Sequence, residues 1–64
     1  MQNKEIVKIS TLNIGEKFKD RSGIPYQIFD KDELGYLCIE EYSNVFRYFW
    51  DFDLVKPIKN PASL

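Results

Sequence analysis

Sixty-four residues make one small domain and leave no room for a second. Hydrophobic residues at 44%, charged residues at 30% and only three Gly and three Pro mark a folding chain, not a disordered, collagen-like or coiled-coil one. One cysteine and no histidine exclude an internal disulfide and a structural zinc site, and no apolar run reaches the roughly 18 residues of a membrane helix.

In chain order, Met1–Lys4 is polar and expected to fray, and Glu5–Ser10 is a β-branched run suited to pairing at a sheet edge. Thr11–Gly15 reads as a loop with Leu12 and Ile14 turned inward. Lys17–Asp20 is a strand leading into the turn Arg21-Ser22-Gly23. Ile24–Lys31 alternates, with Ile24, Tyr26 and Ile28 on one face, and Pro25 sets an edge or bulge at its start. Asp32–Gly35 is a second turn, where Gly35 can supply positive φ. Tyr36–Tyr42 and Val45–Trp50 are strands around a two-residue Ser43-Asn44 turn. Asp51-Phe52-Asp53 suits a single 3₁₀ turn, Leu54–Ile58 is a last short strand, and Asn60–Leu64 is a loose tail. No helix is expected, because the best window, Val45–Leu54, is crowded with aromatic residues that favour strands.

That hairpin implies a register. Leu37 faces Trp50, Ile39 faces Tyr48 and Glu41 faces Phe46 on an apolar side assigned to the core, where Trp50 is expected to be buried. The opposite side then shows Tyr36, Cys38, Glu40, Tyr42, Arg47, Phe49 and Asp51, with a Glu40–Arg47 cross-strand ion pair. Short strands with regular turns and one helical turn before the last strand describe a small, mostly antiparallel, five-stranded, partly open barrel.

The segments Leu12-x-x-Gly15-x-x-Phe18, Gly23-x-x-Tyr26-x-Ile28 and Leu54-Val55-Lys56-Pro57-Ile58 resemble the small SH3-like β-barrel proteins of bacteriophages, prophages and Gram-positive bacteria. The resemblance covers Ile9–Ile58 and implies an all-β SH3-like barrel over residues 5–59. It also implies a core of Leu12, Phe18, Tyr26, Ile28 and Val55, with Gly15 and Gly23 at turns. It indicates fold more than function, since one barrel hosts many activities. The Ala-Leu-Tyr-Asp-Tyr-like stretch and the strand-opening Trp of proline-peptide-binding SH3 domains are missing, and the acidic middle departs from the basic RNA-binding barrels of the KOW type.

Charge and aromatic content narrow the function. Asp30 to Asp53 holds seven acids against two bases, whereas residues 1–29 and 54–64 are each net positive by two. Aromatic residues make up 16% of the chain, and six of the ten fall within Tyr42–Phe52. An acidic middle disfavours phosphate binding there. Without histidine no Ser–His or Cys–His dyad can form, and Cys38 in its apolar strand reads as a small hydrophobe. No EF-hand spacing is present, so no metal, cofactor or enzymatic activity is expected.

Three functions are compatible with these residues. The first is a cytoplasmic protein-binding module, such as a phage-type inhibitor or modulator of a host factor. Its acidic aromatic face of Tyr36, Glu40, Tyr42, Arg47, Phe49, Asp51 and Asp53 would dock on a basic, nucleic-acid-binding surface of the partner. In this reading Phe49 with Tyr36 is the anchor, unless the Glu5–Ser10 segment covers them. The second is a nucleic-acid-binding barrel using Lys4, Lys8, Lys17, Lys19 and Arg21. The third is a structural homo-oligomer, a homodimer for example, formed through exposed strand edges. No membrane partner is expected.

Overall fold

The β-branched and aromatic runs form strands, and polar or glycine-containing stretches separate them, in a computed structural model that describes residues 6–58. The expectations for 1–4 and 60–64, and for Lys4, fall outside the described residues. The strands are β1 (Val7–Lys8), β2 (Lys17–Lys19), β3 (Pro25–Lys31), β4 (Gly35–Glu40), β5 (Phe46–Trp50) and β6 (Leu54–Pro57), with one 3₁₀ turn at Ile9–Thr11. They form one six-stranded sheet in the order β1-β6-β2-β3-β4-β5, and every neighbouring pair is antiparallel. The sheet does not close, so β1 and β5 are its edges.

One cluster forms the core. It takes Ile9 from the 3₁₀ turn, Phe18 from β2, Tyr26 and Ile28 from β3, Tyr36 and Cys38 from β4, Phe49 from β5 and Val55 from β6. Strands two to six can all feed one cluster from one face only if the sheet curls around it. Phe18, Tyr26 and Phe49 supply the centre, with Phe49 edge-on to both partners at centroid distances of 5.2 and 5.0 Å. Phe18, Tyr26, Ile28 and Val55 are thus core as expected, and Leu12 packs partly buried against them. Ile14 is exposed instead of turned inward.

The Glu5–Ser10 run was expected at a sheet edge, and its described part pairs there: Val7 lies opposite Val55 and Lys8 opposite Leu54. The Ile9 N–H then bonds the Asp53 carbonyl at 2.8 Å, which draws the fully buried Ile9 into the core. This segment is the sixth strand that a five-strand count omits.

Three turns differ from expectation for identifiable reasons. Gly15 and Gly23 have φ of 96° and 89°, but Gly35 is not among the positive-φ residues. Its hydrogen matters for space: a Cβ there would collide with the Phe49 carbonyl oxygen and reach 2.9 Å from the Tyr48 ring. The turn before it is closed by Asp32, whose Oδ1 accepts the N–H groups of Leu34 and Gly35 at 2.9 and 3.0 Å.

The β4–β5 connection is longer than two residues. The Glu40 N–H bonds the Val45 carbonyl at 2.8 Å and the Asn44 N–H bonds the Glu40 carbonyl at 2.7 Å, enclosing Glu41-Tyr42-Ser43-Asn44. A two-residue type I′ turn needs positive φ at both positions, which Ser resists. The longer loop confines that conformation to Asn44, at φ 60°. Residues 51–53 form a single hydrogen-bonded turn, the Asp53 N–H bonding the Trp50 carbonyl at 3.0 Å, so the 3₁₀ turn lies near the start of the described chain and not before the last strand.

Candidate functional site

The longer loop moves the β4–β5 register by two residues. Gly35 lies opposite Trp50, Tyr36 opposite Phe49, Leu37 opposite Tyr48, Cys38 opposite Arg47 and Ile39 opposite Phe46. A two-residue shift keeps each side chain with its companions on a face. The two faces of the hairpin were therefore grouped correctly and assigned inside out. Tyr36, Cys38 and Phe49 point into the core, at 6%, 0% and 4% exposure, whereas Phe46 and Trp50 are 49% and 48% exposed.

This dismantles the expected working face. Tyr36 and Phe49 are core residues and cannot anchor a partner in the folded state. Glu40 is partly buried near the loop and sits opposite Tyr26, and Tyr42 is exposed in the loop itself. Arg47 does not pair with Glu40. Its guanidinium lies 4.8 Å from the Phe49 ring centroid, donates to the Tyr26 hydroxyl at 3.0 Å and meets the mostly buried Asp20 carboxylate at 3.3 Å. The hydrogen bond with Tyr26 and the nearby carboxylates strengthen its hold on the proton. Asp51 is exposed, and Asp53 is occupied, its Oδ2 accepting the Trp50 N–H at 2.9 Å. Trp50 is a surface residue and not the core residue expected.

What the fold assembles instead is the outer face of β3, β4 and β5. A bulge makes Asp30, not Phe29, the partner of Leu37 and leaves Phe29 exposed on this face. The Phe29 and Phe46 rings meet edge-on at 5.3 Å. Tyr48 meets Trp50 edge-on at 5.5 Å, and Phe52 from the following turn stacks parallel to Trp50 at 6.4 Å. Half-buried Leu37 and Ile39 lie opposite Tyr48 and Phe46 and complete an apolar surface across the strands. Single exposed apolar side chains are ordinary, whereas a contiguous patch of them marks a site of interaction.

Acids border this face at the end where Trp50 lies. Asp30, Asp32 and Glu33 sit around the β3–β4 turn, and Asp51 is tied to it by its N–H bond to the Leu34 carbonyl at 3.1 Å. The Tyr48 hydroxyl donates to Asp32 Oδ1 at 2.6 Å. That bond first, and the Leu34 and Gly35 N–H groups after it, hold the Asp32 carboxyl below its ordinary range. The same bond pushes the Tyr48 phenol up from 10.0 to about 12. Glu41, at the loop end, pairs with Lys17 at 3.1 Å.

Phe29, Leu37, Ile39, Phe46, Tyr48, Trp50 and Phe52 are thus the candidate residues that the sequence reading missed. The signal was present: period-2 alternation had already placed five of them on one face. Burial pushes the Cys38 thiol up to about 12, which leaves it protonated and a poor nucleophile. Among the described residues no three acidic or cysteine side chains converge as a metal site, and no helix is long and apolar enough to cross a membrane. Comparisons with protein-family models, curated proteins and solved structures found no match.

Proposed function

We propose that the protein is a small, non-enzymatic binding module that docks the outer aromatic face of β3–β5 on a basic surface of a partner protein. The observation that carries this reading is the pair of exposed aromatic groups on one sheet face, Phe29 with Phe46 and Tyr48 with Trp50 and Phe52. Aromatic residues dominate the energetic centres of protein interfaces, and the acids around Trp50 favour a basic counterpart. A cytoplasmic, phage-type modulator of a host nucleic-acid-binding protein is the specific form we favour, because the segment 30–53 carries a net charge of −5. The SH3-like description of the curled sheet is supported by the β2–β5 meander, with β6 returning beside β2.

The test is capture of a binding protein by the wild-type chain, followed by affinity measurement with Trp50→Ala and Phe46→Ala. Loss of a central anchor should weaken the complex by more than about 2 kcal/mol, roughly thirtyfold. Unchanged affinity of both folded variants would remove this face.

Nucleic-acid binding is the second reading. It draws on exposed Lys8, Lys19 and Lys56, where β2 and β6 set Lys19 directly opposite Lys56. Of the other residues proposed for it, Lys17 is engaged by Glu41. Salt-sensitive retention on DNA, lost in Lys19→Glu with Lys56→Glu, would favour this reading over the first.

A further inference from the structure

The aromatic face ends at β5, an edge of the sheet. Inter-strand bonds in an antiparallel pair alternate along each strand. The bonds from Glu40 N–H to the Val45 carbonyl and from Asp51 N–H to the Leu34 carbonyl fix that alternation. Arg47 and Phe49 therefore face β4 with their backbone groups, and those of Phe46, Tyr48 and Trp50 face away from it. The Trp50 N–H and carbonyl are both closed off by Asp53. Phe46 and Tyr48 are left with an open ladder.

Natural edge strands are commonly guarded by proline, lysine, a bulge or extreme shortness. The other edge, β1, is guarded by its length of two residues and by Lys8. The β5 sequence Phe-Arg-Tyr-Phe-Trp has five strongly strand-forming or neutral positions and no such device. Its one charge, Arg47, points inward, as charges on guarded edges also do. It is already paired there with Asp20 and the Tyr26 hydroxyl, and so is not left unpaired when a strand is added.

We infer that this edge accepts an extended, basic segment of a partner protein as an added antiparallel strand. The inference rests on the binding-module reading above and specifies how the partner is held. Backbone bonds to Phe46 and Tyr48 would give the strand its register, and its alternate apolar side chains would extend the outer aromatic face. The net charge of −5 over residues 30–53 makes the occupant basic. A second copy is a poorer fit, since it brings the same acids. The symmetric register joining Phe46 to Tyr48 sets Arg47 against its own copy, and the register centred on Tyr48 needs the Trp50 groups that Asp53 holds.

The probe is a short capped peptide in which Lys alternates with Val and Thr, with a Glu-for-Lys analogue as control. On titration, the Phe46 and Tyr48 amides should gain hydrogen-exchange protection, and the acidic analogue should fail to bind. Tyr48→Pro removes an N–H that no strand of the fold uses, while Tyr48→Ala removes the same side chain and keeps that N–H. The proline variant should bind at least about tenfold more weakly than the alanine variant.

Equal affinities of the two variants would overturn the inference, as would a bound peptide that leaves both amides unprotected. Failure of the basic peptide to bind, equal binding of the acidic one, or concentration-dependent protection without peptide would overturn the basic occupant. If Tyr48→Pro does not fold, amide protection in the wild-type chain decides alone. Binding that is lost in Trp50→Ala but indifferent to the proline would retain the aromatic face and discard the strand addition.

Discussion

Phe49 and Trp50 are neighbours in sequence, similar in chemistry and opposite in fate. Phe49 is 4% exposed, packed edge-on against Phe18 and Tyr26 beneath the Arg47 guanidinium. Trp50 is 48% exposed, between Tyr48 and Phe52 on the outer side of the sheet. The difference teaches that this hairpin has two apolar faces, and that only one of them serves the fold. The inner face fills the small core, and the outer face stays exposed to solvent.

The sharpest way to break the comparison is to truncate both residues. Phe49→Ala should cost about 3–5 kcal/mol through lost transfer energy and cavity formation. A domain of this size seldom holds more than about 3–5 kcal/mol in reserve, so urea titration should find the variant largely unfolded. Trp50→Ala should cost about 1 kcal/mol, because water already reaches half of the side chain and truncation leaves no closed cavity. Equal losses would erase the distinction between the faces.

Gly35→Ala probes the contact between the faces. The added methyl would press on the Phe49 carbonyl and the Tyr48 ring at once, for a cost of about 1–3 kcal/mol. Thermal unfolding should show this loss, whereas a neutral result would mean that β4 and β5 lie farther apart beside Trp50.

The smallest effect concerns pH. The Tyr48 phenol is raised to about 12 by its bond to Asp32, so that bond contributes fully below pH 10 and is lost as pH rises from 10 toward 12. The Asp32 carboxyl is depressed, so its contribution holds above its ordinary 3.8 and is lost as pH falls through the lowered value. Both groups are solvent-facing, and stability should change little at either limit. An NMR titration of the Tyr48 ring should give a midpoint near 12 that falls toward the ordinary 10.0 in Asp32→Asn, with desolvation and Asp51 still holding it somewhat up. An unmoved midpoint would show that Asp32 does not receive the hydroxyl.

Much of the fold was legible because strands write their period into sequence. Alternation sets Tyr26 and Ile28 on one face of their strand, and the polar punctuation sets Gly15 and Gly23 in turns; that face is the buried one, and both glycines have positive φ. The two faces of the hairpin were separated for the same reason. Which of them was inner could not be read, because both are rich in large apolar side chains. Glu40 and Arg47 made the true inner face look like the surface. Arg47 can occupy that face because its guanidinium lies over the Phe49 ring while its charge reaches Asp20. That partner lies 27 residues away in sequence, and no local pattern points to it. The expected site carries the same inversion, with Phe49 and Tyr36 as its anchors and Trp50 in the core.

The chain carries a single Trp, which allows the most direct test of the central claim that the outer face is open. Native Trp50 fluorescence should emit at long wavelength, be quenched readily by acrylamide, and be quenched more by cesium than by iodide. The cation preference follows from Asp51 and the acids of the β3–β4 turn beside it. Emission at short wavelength, shielded from acrylamide until the chain unfolds, would place Trp50 in the core and contradict the account.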